Sequence, residues 1–145
     1  MELIKIIDEY EIYTTMVQLS SDMFNQSLND EKIIKSLSKK YCQYSNFYIY
    51  KDEKRIVGYC AFYTNTVHND NCFISMLVIR KEYQNKGIGT MFVNKIVEIC
   101  KEKNISAIEL SVNKKNTKAI NFYKKKQFDI VETDDKFYKI RKIVL

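Results

Sequence analysis

Only three glycines and one histidine occur in this chain of 145 residues, and proline is absent altogether. Without proline, low-complexity runs or an internal repeat, nothing in the sequence marks a linker. Residues 1–145 therefore read as one domain, long enough to bury a core. No stretch approaches the roughly 20 apolar residues that span a bilayer, so no membrane partner is expected. The start, Met1-Glu2-Leu3-Ile4-Lys5, alternates like a strand and lacks a signal peptide's apolar centre. Cys42, Cys60, Cys72 and Cys100 show no CxxC spacing, and His68 stands alone. That pattern argues against a metal site or a disulfide framework and for a reducing, cytoplasmic setting with the cysteines in the core.

Charge of one type is also scarce. The formal net charge is +6, yet arginine appears only at positions 55, 80 and 141. Arginine makes most base-edge contacts and bidentate phosphate grips. No helix-turn-helix, zinc-finger or aromatic RNA-binding signature accompanies the lysines, so a nucleic-acid partner is disfavoured. The six lysines between Asn113 and Lys126 read as a solvated face and a helix C-terminus offset by cations. The functional alternative is attraction of an anionic ligand.

Against these absences, the apolar pattern is strong. Residues 3–7 alternate as a first strand, and residues 10–19 and 31–41 carry apolar groups at helical spacing, with Asn29-Asp30 placed to cap the second helix. Residues 47–50 and 56–65 form an antiparallel pair, and residues 73–79, nearly all apolar, form a strand expected to be covered on both faces. A helix over residues 87–103, a strand over 107–112, a short helix over 116–125 and a hairpin over 128–144 complete the chain. The order β-α-α-β-β-β-α-β-α-β-β defines an α/β (α+β) domain whose mixed, mainly antiparallel sheet has about seven strands with four helices.

Two of the three glycines fall in Gln84-Asn85-Lys86-Gly87-Ile88-Gly89-Thr90, between the apolar strand and the third helix. Loop amides before a helix, together with its dipole, favour an anion, above all a phosphate. Glycine lets the backbone approach such a ligand. A second pattern, Asn116-Thr117-Lys118-Ala119-Ile120-Asn121-Phe122-Tyr123, puts Asn116, Ala119, Ile120 and Tyr123 on one helix face. The first pattern follows (Q/R)-x-x-G-x-(G/A) and the second N-x-x-A-x-x-x-Y, and in this order the chain resembles the GNAT superfamily of acetyl-coenzyme A dependent N-acetyltransferases.

The resemblance implies an enzyme with acetyl-CoA (coenzyme A) as cofactor and no metal. The backbone of Leu77, Val78 and Ile79 would pair with the pantetheine arm as an added strand. Gln84, Asn85, Lys86, Gly87, Ile88, Gly89 and Thr90 would cradle the pyrophosphate, Asn116 would hydrogen-bond the cofactor, and Tyr123 would face the thioester sulfur. Tyr123 is the natural catalytic acid, because a phenol's pKa near 10 suits proton transfer to a thiolate whose acid lies near 8.5. Strand N–H groups would serve the carbonyl as oxyanion donors. At the positions where family members often carry a catalytic carboxylate stand Phe73, Ser75 and Ser111. Glu109, His68 and Asp70 are weaker candidates, Glu109 reading equally as a solvated strand residue. A water chain through Ser75, or an acceptor amine that arrives neutral, is favoured instead.

By the same resemblance the acceptor site takes in Met23, Phe24 and Asn25 opposite Phe62 and Tyr63, with Ser75. These groups form no acidic patch, which disfavours a polycationic acceptor and favours a small-molecule amine such as an amino sugar or amino acid; a protein or peptide amine is the alternative. Leu110-Ser111-Val112-Asn113 departs from the Leu-Glu-Val-Arg of members that acetylate ribosomal-protein N-termini. Gln127 stands where the family favours glycine, at a cost of about 1 kcal/mol if the turn needs a positive φ. The family would also allow a homodimer. A non-catalytic coenzyme A binding regulator is the competing class, favoured by the missing base and opposed by intact Asn116 and Tyr123.

Overall fold

The computed structural model describes residues 2–65 and 71–145, so His68 and Asp70 lie outside the described residues. Its elements run β1 (Glu2–Ile6), α1 (Glu9–Gln18), α2 (Glu31–Tyr44), β2 (Asn46–Asp52), β3 (Arg55–Tyr63), β4 (Cys72–Ile79), α3 (Ile88–Glu102), β5 (Ala107–Asn113), α4 (Thr117–Lys125), β6 (Asp129–Thr133) and β7 (Phe137–Ile143). This is the expected order, with boundaries moved by a few residues. The polar segment between α1 and α2 folds as two single turns of 3-10 helix, Ser20–Asp22 and Gln26–Leu28. The strands form one seven-stranded sheet in the order β1-β2-β3-β4-β5-β7-β6. The β4–β5 pair is parallel; β1–β2, β2–β3, β5–β7 and β6–β7 are antiparallel. No helix among the described residues is long and apolar enough to cross a membrane.

The chain divides into two compact units. In the first, residues 1–63 and 75–95, helices α1 and α2 start at aspartate caps. Asp8 accepts from the Glu11 N–H at 3.0 Å, and Asp30 from those of Lys32 and Ile33 at 2.9 and 3.2 Å. Ile34, Ser38 and Tyr41 recur at helical spacing and are buried against Ile12, Met16, Phe47, Ile49 and Tyr59. Gly58 makes a close approach possible in β3. A Cβ there would meet the Ile79 Cδ1 at 2.7 Å and the Val78 carbonyl at 3.1 Å, so glycine lets β3 and β4 pack with Phe92 of α3.

The second unit, residues 64–74 and 96–145, builds on β5. The β5–β7 register sets Glu109 opposite Arg141 and Leu110 opposite Ile140. Strand β4 corrects one expectation. Cys72, Ile74 and Val78 are buried, whereas Phe73, Ser75, Leu77 and Ile79 are half-buried, so the strand is not covered alike on both faces. An apolar sequence reports hydrophobicity on both sides, but coverage depends on what packs there.

Candidate active site

The motif loop is held from several sides within the first unit. The Arg80 N–H donates to the Val57 carbonyl at 2.8 Å and its Nε to the Ile56 carbonyl at 2.7 Å, both on β3. A 3-10 turn, Lys81–Tyr83, follows. The Lys81 N–H donates to Asp22 at 3.1 Å, the Tyr83 hydroxyl to Asp52 at 3.2 Å, and Arg55 pairs with Glu82 at 2.7 Å. The Gln84 side chain turns back and donates to the Ile79 carbonyl at 3.0 Å, which ties the loop to the end of β4.

Beyond that tie the backbone enters the left-handed region twice, at Asn85 (φ 62°) and Gly87 (φ 84°). Asparagine and glycine tolerate that region best, and such turns gather successive N–H groups into a concave, anion-binding nest. The Gly87 carbonyl accepts the first bond of α3, from the Met91 N–H at 3.1 Å. The N–H groups of Ile88, Gly89 and Thr90 thus belong to the helix's first turn, with no carbonyl four residues back to take them. Exposed Lys86 lies over the Tyr83 ring, 5.5 Å from its centroid. Directed amides, a helix N-terminus and a cation fit the phosphates of coenzyme A.

Three hydroxyls gather at the other end of the strand pair. Tyr41 of α2, 1% exposed, shares a hydrogen bond with the Ser75 hydroxyl of β4 at 2.7 Å. The neighbouring Met76 takes a hydrogen bond from Tyr59 at 3.0 Å. Tyr41 and Tyr59 belong to one core cluster, so two successive β4 residues serve the same face and strict alternation is interrupted there. The Tyr63 hydroxyl is buried beside the same Ser75 hydroxyl. Burial pushes its pKa up to about 12, with the Tyr41 phenol adding to the rise and hydrogen bonding with Ser75 opposing it. Burial likewise raises the Tyr41 phenol, against its bond to Ser75. These phenols are neutral donors at ordinary pH.

The residues expected at the acceptor are not all together. Met23 is core at 4% exposed, Phe24 is exposed, and Asn25 caps a 3-10 turn through the Ser27 N–H at 3.1 Å. Phe62 points to the opposite face of β3 from Tyr63 and stacks on Tyr48, with centroids 5.9 Å apart. Tyr63 and Ser75 are the two that the structure gathers, beside Tyr41. Sequence patterning assigns Tyr41 to the core stripe of its helix and gives no sign of its polar end.

In the second unit Asn116 is the N-cap of α4, its side-chain oxygen accepting from the Ala119 N–H at 3.3 Å. Tyr123 ends the same face, 5% exposed, edge-on to Phe122 and Phe128 at 5.0 and 5.1 Å. Glu109 is a correction: it is 3% exposed rather than solvated. Arg141 donates to it from Nε at 2.7 Å and through a second nitrogen at 2.5 Å, and Lys139 lies at 4.0 Å. Burial pushes its pKa upward, but Arg141, Asn71 and Lys139 outweigh this and hold it below the ordinary carboxylate value. Ser111, two residues on, is exposed. No group of three His, Cys, Asp or Glu among the described residues could hold a metal ion.

Residues 10–128 match the model of the Acetyltransferase (GNAT) family, and the chain belongs to that family. N-alpha-acetyltransferase 50 of Danio rerio is 31% identical over 91 residues, which cover 62% of this chain and 54% of that one. Thialysine N-epsilon-acetyltransferase of Mus musculus is 32% identical over 71 residues, 48% of this chain and 42% of its own. The chain spans about half the length of the curated relatives it matches. The PaiA N-acetyltransferase of Thermoplasma acidophilum, solved in complex with coenzyme A, shares the fold with a TM-score of 0.77 over 99% of both chains at 18% identity.

Proposed function

We propose that the chain acts as one N-acetyltransferase domain that moves the acetyl group of acetyl-coenzyme A directly to a primary amine of a small molecule, an amino sugar or an amino acid. The observation that carries this reading is the loop from Gln84 to Thr90, whose left-handed residues and helix N-terminus suit a pyrophosphate in a member of the GNAT family. When bound, acetyl-coenzyme A supplies the acetyl group as an activated thioester. The backbone of Leu77, Val78 and Ile79 holds the pantetheine arm, and the amides from Gln84 to Thr90 hold the pyrophosphate. The Asn116 side-chain oxygen and carbonyl already serve α4, so its bond to the cofactor falls to the amide Nδ2.

Tyr123 would supply the proton for the thiolate that is released when the thioester gives its acetyl group to the amine. Water takes the proton that the amine loses. Arg141 leaves Glu109 too weakly basic for that role. A lysine side chain, with a pKa near 10.4, is neutral in only about one molecule per few thousand at pH 7, whereas a sugar amine or α-amine needs far less help. A cytoplasmic location agrees with the buried cysteines Cys60, Cys72 and Cys100, which form no disulfide.

A protein or peptide amine is the second reading, favoured by the similarity to a relative named for N-alpha-acetylation. The cradle is tested by Gly89→Asp in the first turn of α3, which sets a carboxylate against the pyrophosphate. An acid at a helix N-terminus favours the helix, so the fold should survive while coenzyme A affinity collapses. Normal affinity by calorimetry in the folded variant would remove the cradle from this loop.

A further inference from the structure

The turn that leads into the motif loop is capped from far away in the sequence. The 3-10 turn Lys81–Tyr83 opens at Arg80, whose guanidinium has no acceptor and makes no capping bond. The Lys81 N–H donates instead to the Asp22 carboxylate at 3.1 Å, across a separation of 59 residues. Asp22 closes the 3-10 turn Ser20–Asp22, in the segment that joins α1 to α2.

That segment is built to hold the carboxylate in place. Leu19 and Met23 flank its turn and are buried in the core cluster of the first unit, against which Leu28 also packs. The Asp22 N–H donates to the Leu19 carbonyl at 3.0 Å and the Met23 N–H to that of Ser20 at 3.3 Å, while the Gln26 side chain donates to the Met23 carbonyl. Asp52 and Arg55, which hold Tyr83 and Glu82, belong to β2 and β3, so Asp22 brings support from outside the sheet. Its negative charge, bound shortly before Asn85, repels an incoming pyrophosphate. The capping bond, and not the charge, is therefore what can serve the cradle.

We propose that Asp22 is a positioning residue for the cradle, and that its bond to Lys81 couples coenzyme A binding to the order of residues 20–28. The bond fixes the turn from which the left-handed residues Asn85 and Gly87 follow. Coupling of this kind is reciprocal, so whatever holds residues 20–28 in place also tightens coenzyme A binding. Asp22 acts through Lys81 and moves no proton in transfer. The inference rests on the reading of Gln84 to Thr90 as the pyrophosphate cradle.

Calorimetry with coenzyme A and amide hydrogen exchange, both on the full chain, test this. In the wild type, coenzyme A should slow exchange in residues 84–90 and also in residues 20–28. Asp22→Ala should weaken coenzyme A binding by about five- to twentyfold and lose the protection of residues 20–28 alone. Asp22→Asn keeps an oxygen that can accept from Lys81 and drops the charge, so it should bind coenzyme A at least as tightly as the wild type. A lower melting temperature for Asp22→Ala with unchanged affinity would make Asp22 merely structural and overturn the inference, as would an equal loss of affinity in Asp22→Asn. If Asp22→Ala does not fold, the wild type still decides. Protection of both segments supports the coupling, whereas protection of residues 84–90 without residues 20–28 overturns it and leaves the cradle standing. Wild-type protein that binds no coenzyme A, or binds it without protecting residues 84–90, would overturn the cradle reading and this inference with it.

Discussion

A carboxylate gripped by a guanidinium has little basicity to offer, and Glu109 is gripped by Arg141 at 2.7 Å on the neighbouring strand. Its folded pKa lies below the ordinary value of 4.5. The stabilisation from the pair is therefore complete above that value and is lost as pH falls through the folded pKa. Glu109→Gln should lower stability by about 1–2 kcal/mol at neutral pH, since Arg141 is partly exposed and can be rehydrated. The gap from wild type should close as pH falls through the lowered folded pKa. Denaturation at neutral and at acidic pH checks this, and a gap that persists in acid would contradict it. In the same variant kcat/KM should change less than about tenfold, below the usual worth of a general base. Tyr123→Phe should behave in the opposite way. It keeps the ring against Phe122 and Phe128 but should cut kcat about 10²-fold, with acetyl-coenzyme A affinity unchanged. Wild-type turnover in an assay limited by chemistry would reduce Tyr123 to a packed tyrosine.

Helix ends are the elements most legible in the sequence alone. Asp30 and Asn116 stand where capping residues belong, and the structure has both as N-caps, because a cap depends on neighbours two or three residues away. The turn after α4 is local in the same sense. The Phe128 N–H donates to the Tyr123 carbonyl and the Gln127 N–H to that of Lys124, both at 3.1 Å, a Schellman motif with Gln127 at φ 63°. Gln127→Gly should therefore raise stability by about 1 kcal/mol, read as a higher denaturation midpoint at unchanged slope. A lower midpoint would mean the glutamine side chain does more than occupy the turn. Burial on the strands is less legible. Apolar character marks residues 73–79 as a strand but not which of its faces is covered, and Glu109 reads as solvated because its partner lies 32 residues away. The Tyr41–Ser75 bond, 34 residues apart in sequence, leaves no trace in periodicity, since a tyrosine on an apolar stripe reads as core.

Over the whole molecule, the order of seven strands and four helices among the described residues follows from hydrophobic period and turn residues, and the family from two short motifs. Those motifs are readable because each is a contiguous stretch with one backbone job, a nest in one case and a helix face in the other. The grouping of Tyr41, Tyr63 and Ser75 is not, because these side chains come from α2, β3 and β4, which only folding brings together. The central claim is acetyl transfer from acetyl-coenzyme A to an amine by this chain. It is tested most directly by following thiol release while a panel of amino sugars, amino acids, amino amides and peptides is supplied, with the product identified by mass spectrometry. The account predicts thiol release that depends on a small primary amine and yields the matching N-acetyl product. Its rate should rise with pH along the acceptor's own amine titration, shifting when a less basic acceptor is used. Tight coenzyme A binding with no amine-dependent thiol release anywhere in the panel would contradict it and mark the chain as a binding protein.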